Sequence, residues 1–175
     1  MYYVDELNDF IIEVSYFQSR YKTGACGLCE YKTQNKEIEL LKKAFYNSNI
    51  IHLYPQNTYK IKGSYTYNLA LLLHNNKLPN YQIHRFNTWL NYYTSITKGE
   101  RMPEENKKQY LINMMNNINN LPPINIIKIQ NYKIICGGMT RLACSWVTKK
   151  PIKTRIIHNI PVTNKKQFLQ SIKYL

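Results

Sequence analysis

Residues 122–158 read PPINIIKIQNYKIICGGMTRLACSWVTKKPIKTRIIH, and this stretch constrains the fold more than any other. Two short apolar runs, 122–129 and 131–138, meet at the polar pair Gln130-Asn131 and read as strands joined by a tight turn. The second strand runs into Gly137-Gly138, and "MTRLACSWVTKK" then carries the spacing of a helix. "PIKTRIIH" at 151–158 reads as a further strand. A strand that passes through two glycines into a helix suits an anion. Glycine lets the backbone approach a bound group closely, and a helix start presents N–H groups that no carbonyl has taken. The plainer reading, a strand-to-helix turn followed by a surface arginine, stays open on these residues alone.

Upstream, Leu7, Phe10, Ile11, Val14 and Phe17 recur at helical spacing within 5–20. The stretches 35–48 and 64–76 also read as helices, with His74 near the end of the latter as a capping or surface histidine. Residues 1–80 are therefore expected to be mainly helical. "YQIHRFNTWLNYYTSIT" (81–97) is rich in aromatic and β-branched residues and reads in part as strand. Pro103, Glu104 and Glu105 open a helix whose apolar stripe is Leu111, Ile112, Met115 and Ile118. A terminal helix is expected over 164–175. From residue 81 the order is β-α-β-β-α-β and then α, an α+β pattern, with a division into regions 1–80 and 81–175.

The chain has 175 residues, enough to bury a core without staples. Its formal charge is +14, with 19 Lys and 5 Arg, and it carries 16 Tyr. Such a balance suits an acidic partner, nucleotide or DNA through a basic surface. Strongly AT-rich coding would also produce this Lys, Asn, Ile and Tyr usage, as in a phage or a low-GC bacterium. No apolar run approaches a membrane span, and the acidic N-terminus lacks the pattern of a signal peptide, so a cytoplasmic protein with no membrane partner is expected. Cys26 and Cys29 have C-x-x-C spacing without a second pair nearby. An ordinary turn is favoured there over zinc, and no metal ligand is assigned.

The segments "PPINIIKI", "YKIICGGMTRLAC" and "KPIKTRII" resemble the ParB/sulfiredoxin superfamily over about residues 95–160. That family runs P-I-x-V, then y-x-I-x-x-G-x-x-R-x-x-A, then I-P-V. Gly138 and Arg141 match, with the alanine shifted to Ala143, and "RMP" at 101–103 echoes the upstream R-P-L-P of sulfiredoxins. The resemblance implies a small mixed sheet with packed helices and a site for nucleotide phosphates. It also implies ATP or CTP as ligand, with Mg2+ bridging the phosphates. The implied phosphate-binding residues are Gly137, Gly138, Thr140 and Arg141, joined by Lys98, Arg101 and Lys108 (or its neighbour Lys107). Asn117, with Asn113 one turn before it, is placed on the same helix facing the ligand.

The implied activity is that of a nucleotide-dependent phosphotransferase or NTPase acting on a nucleoside, DNA base or small hydroxyl compound. Glu100 would serve as base, ahead of Glu104, Glu105, His84 and His158. The alternative is a non-catalytic nucleotide-sensing, DNA-binding module of the partition-protein type. Two departures bear on the chemistry. Met139 stands where sulfiredoxins carry their nucleophilic cysteine, so sulfinic-acid repair is not expected. Thr140 replaces the family histidine and brings a hydroxyl without a charge.

Overall fold

The computed structural model describes residues 6–8, 10, 11, 14, 35–55, 59–96 and 104–160. The expected terminal helix at 164–175 lies outside them. The chain folds as two compact units, one of residues 1–51, 122–138 and 153–175, the other of residues 52–121 and 139–152. The two units interleave in sequence.

The first unit carries a four-stranded mixed sheet in the order β1-β4-β2-β3, with β1 at Asn49–Leu53, β2 at Ile124–Ile129, β3 at Tyr132–Ile135 and β4 at Ile152–His158. β2 and β3 pair antiparallel from Ile126↔Ile135 to Ile129↔Tyr132. That register leaves Gln130 and Asn131 as the two-residue turn expected from sequence, with Gln130 at φ 54°. β4 runs parallel to β2, from Ile124↔Thr154 to Lys128↔His158. An interior strand covered on both faces needs a nearly continuous apolar run rather than strict alternation. β2 has that run: of its six residues only Lys128 is exposed.

The sequence INIIKI puts Ile127 and Ile129 on one face of the sheet, since strand side chains alternate. With Ile134, Cys136 and Ile157 they meet Phe10 and Val14 of the N-terminal helix α1 (helical at residues 6–8, 10, 11 and 14) and Leu41 and Phe45 of α2 (Asn35–Tyr46). The Phe10 and Phe45 rings lie 5.5 Å apart in a tilted pair. Arg155 on β4 closes this region. Its Nη2 donates to Glu6 Oε2 at 3.0 Å, and its guanidinium lies 4.1 Å from the centre of the Phe45 ring.

The second unit is helical. It comprises α3 (Tyr59–Lys62), α4 (Tyr65–Asn75), α5 (Asn80–Ile96), α6 (Glu104–Asn116), a 3-10 turn at Ile118–Asn120 and α7 (Met139–Thr148). Ser64 caps α4: its Oγ accepts from the Tyr67 N–H at 3.2 Å and donates to the Ile61 carbonyl. Asn76 ends α4 in the left-handed region, φ 59°. In α7 six successive residues, Leu142 to Val147, are buried, so this helix is covered all round.

Two expectations are corrected. Residues 80–96 form a helix, not a strand. Among the described side chains of α5, the buried or half-buried ones are Gln82, Phe86, Leu90 and Tyr93, a helical spacing that aromatic and β-branched content had obscured. Tyr65 stacks on both Phe86 and Tyr93, with centroids 5.8 and 4.7 Å away, which anchors that inner stripe. The second correction is β1. Residues 1–80 contain a strand at Asn49–Leu53, five residues set between two helices. The adjacent β-branched pair Ile50-Ile51 was its only sequence signal.

Candidate functional site

The candidate site is the start of α7 and the turn that feeds it. The Cys136 N–H donates to the Asn125 carbonyl at 2.8 Å, extending the β2–β3 pairing one step beyond Ile135. The chain then passes through Gly137 at φ 80° and Gly138 at φ 86°. Left-handed backbone of this kind favours glycine, because a Cβ would meet the neighbouring carbonyl. Among the described residues, the four non-glycines with positive φ lie between 54° and 59°, nearer the left-handed helical value than either glycine.

Helix α7 begins at Met139 and has no acidic residue in its first turn. The positive end of its dipole is therefore not compensated from within the helix. Met139 is 43% exposed, and Thr140 and Arg141 are half-buried. Arg141 lies near enough to Tyr110 of α6 to act on its hydroxyl. Burial raises the Tyr110 pKa, and the guanidinium partly offsets that rise. Lys107, one turn before Tyr110, acts in the same way on Cys144. The first half of α6 and the first half of α7 thus bring Lys107, Tyr110 and Arg141 into one electrostatic neighbourhood.

Lys108 and Asn117, also expected at the site, have other partners. Lys108 pairs with Glu105 one turn back, Nζ to Oε2 at 3.5 Å, an exposed pair of the kind that contributes little. Asn117 sits just past the far end of α6, where its Nδ2 donates to the Asn113 carbonyl at 2.9 Å. Lys108 and Asn117 are nine positions apart along the α6 axis, about 13 Å at 1.5 Å per residue, so one phosphate group does not meet both. Asn117 completes the helix end. Lys98, Glu100 and Arg101 lie outside the described residues. Of the weaker base candidates, Glu105, His84 and His158 are exposed.

Sequence reasoning placed Lys107 only as an alternate to Lys108. The structure separates them by their neighbours: Lys107 acts on Cys144, whereas Lys108 pairs with Glu105.

Cys136 and Cys144 are both fully buried and in no disulfide. Burial pushes the Cys144 thiol up to about 12, with Lys107 pulling slightly the other way. Near neutral pH this thiol stays protonated, and a thiol is not a nucleophile. We expect native protein treated with iodoacetamide to leave both residues unmodified by peptide mass mapping, and denatured protein to be alkylated at both. Alkylation of either in the native state would show that the thiols are accessible.

No group of three or more His, Cys, Asp or Glu side chains able to hold a metal occurs among the described residues. Cys26 and Cys29 lie outside them. No described helix is long and apolar enough to cross a membrane. No family model, no curated protein and no solved structure matches the chain.

Proposed function

We propose that the chain is a nucleotide-binding protein of the ParB/sulfiredoxin type that holds its ligand by the phosphates at the start of α7. The observation that carries this reading is two left-handed glycines placed directly ahead of a helix whose first turn has no carboxylate and whose third residue is Arg141. Backbone N–H groups and a guanidinium are donors only, which suits phosphate oxygens. Thr140 would add one neutral hydroxyl and Lys107 a second cation. ATP or CTP is the proposed ligand. Mg2+ would bridge its phosphates and neutralise part of their charge, and such an ion needs few protein ligands.

The activity we propose is phosphoryl transfer or nucleotide hydrolysis, with Glu100 as the base that takes the acceptor's proton. Sulfinic-acid repair is not part of the proposal, because a Met139 thioether cannot form the thiolate that attack would need.

A thermal-shift screen of ATP, CTP and GTP, each with and without Mg2+, tests the reading. A ligand that binds only the folded chain raises its melting temperature, by an amount that grows with the logarithm of its concentration relative to Kd. We expect at least one triphosphate to do so and its nucleoside to do so much less. Equal shifts from nucleoside and triphosphate, or no shift from any nucleotide, would overturn the phosphate reading.

A further inference from the structure

Helix α5 presents an outer face that the site above does not use. Tyr81 is 77% exposed, Tyr92 55% and Trp89 43%, and His84 and Arg85 are exposed beside them. At about 100° per residue, Tyr81, Arg85, Trp89 and Tyr92 fall within roughly 80° of the helix circumference, one continuous stripe. Trp89 and Tyr92 meet edge to face at 5.6 Å, so the two rings fix each other's orientation while remaining open outward. A soluble protein rarely leaves so many large rings together in water without using them.

Charge selects the occupant. All ten carboxylate side chains lie within residues 1–39 and 100–105, so the sequence from 40 to 99 has none. The α5 stripe thus combines aromatic faces with the Arg85 guanidinium and no acid of its own helix. A second copy of a chain carrying +14 would bring like charge to this face. A polyanion with flat, exposed rings meets both halves of the chemistry.

We propose that the outer face of α5 is a stacking surface for single-stranded nucleic acid. Unpaired bases lie on Tyr81, Trp89 and Tyr92, while Arg85 and His84 attend the phosphates. A duplex hides its base faces and offers only its backbone, so a ring surface discriminates against it. From Tyr81 to Tyr92 the helix rises about 16 Å, which spans about five bases at 3.4 Å each. No element of the stripe reads the sugar, so DNA and RNA should bind alike.

The proposal is independent of the α7 reading, and one experiment separates them. Fluorescein-labelled dT12 and U12 are titrated with the full chain in fluorescence anisotropy, with a 12-base-pair duplex as competitor. We expect dT12 and U12 to bind within a few-fold of each other, and the duplex to compete poorly. Trp89→Ala and Tyr92→Ala should each weaken binding about tenfold or more, while Trp89→Phe retains most of it. Arg85→Gln should flatten the salt dependence. Arg141→Ala should leave dT12 binding unchanged. These rings are on the surface, so circular dichroism and melting temperature should match wild type. Wild type failing to bind dT12, the ring variants binding it as well as wild type, or duplex competing equally would each overturn the proposal. So would light scattering that shows a dimer dissolved by the ring substitutions while dT12 binding persists.

Discussion

Arg155→Ala should destabilise the folded chain by about 3 kcal/mol, the scale of breaking a largely buried ion pair. The Arg155 and Glu6 side chains are only 14% and 29% exposed, so neither is fully solvated once its partner is removed. The substitution also takes the guanidinium off the Phe45 ring and away from Ser48 Oγ, 3.5 Å distant. It thereby loosens α1 and α2 from the sheet together. For a chain of this length that loss corresponds to a fall in melting temperature of about 6–12 °C. Glu6→Gln should cost less, since the amide still accepts a hydrogen bond and the contact with Phe45 survives. Urea denaturation of wild type and both variants checks this. A midpoint for Arg155→Ala within error of wild type would show that the pair does not hold the N-terminal helix.

The second large effect belongs to the glycine turn. Gly138→Val should cost roughly 2 kcal/mol or more, because a β-branched side chain is forced into left-handed backbone. At φ 86° Gly138 lies beyond the 54–59° at which Gln130, Asn76, Lys149 and Asn159 are tolerated. Gly138→Ala should cost less, about 1 kcal/mol. Gly137→Val, at φ 80°, should behave like Gly138→Val. The same denaturation series reads these values. Loss of nucleotide binding in a Gly138→Ala protein that is otherwise folded would separate the role of close backbone approach from that of turn shape. A Gly138→Val protein as stable as wild type would mean that the turn does not require positive φ.

The parts of the fold legible in the sequence were those where local pattern and tertiary burial agree. The β2–β3 hairpin declared itself because two apolar runs flank a two-residue polar turn. Helix α7 did so because glycines precede it and Pro151 follows it. The expected helices at 35–48 and 64–76 appear as α2 and α4 with ends moved by one or two residues. Helix α5 was misread because its composition favours strand, whereas its inward positions follow a helical spacing. Composition reports propensity; the inward spacing of Gln82, Phe86, Leu90 and Tyr93 decides the structure. β1 was missed because a five-residue strand, exposed over Asn49 to His52, carries almost no burial pattern.

For the candidate site, sequence order alone sets Gly137, Gly138 and Arg141 within five residues of chain. It could not rank residues brought near by packing. Lys107 approaches Cys144, whereas Lys108 turns to Glu105, a difference of one residue in helical phase.

The most direct test of the central claim is a calorimetric titration of ATP and CTP, in the presence of Mg2+, into wild type and Arg141→Ala. Removing a charge-assisted contact to phosphate is worth roughly 1.5–3 kcal/mol, a ten- to hundredfold loss in affinity. Arg141→Lys should recover only part, since the planar fork that meets two phosphate oxygens is gone. The account predicts tight binding by wild type, a loss of that size in Arg141→Ala and an intermediate value for Arg141→Lys, all three proteins being equally folded. Equal affinity in wild type and Arg141→Ala would contradict it and leave Gly137-Gly138 as a strand-to-helix turn.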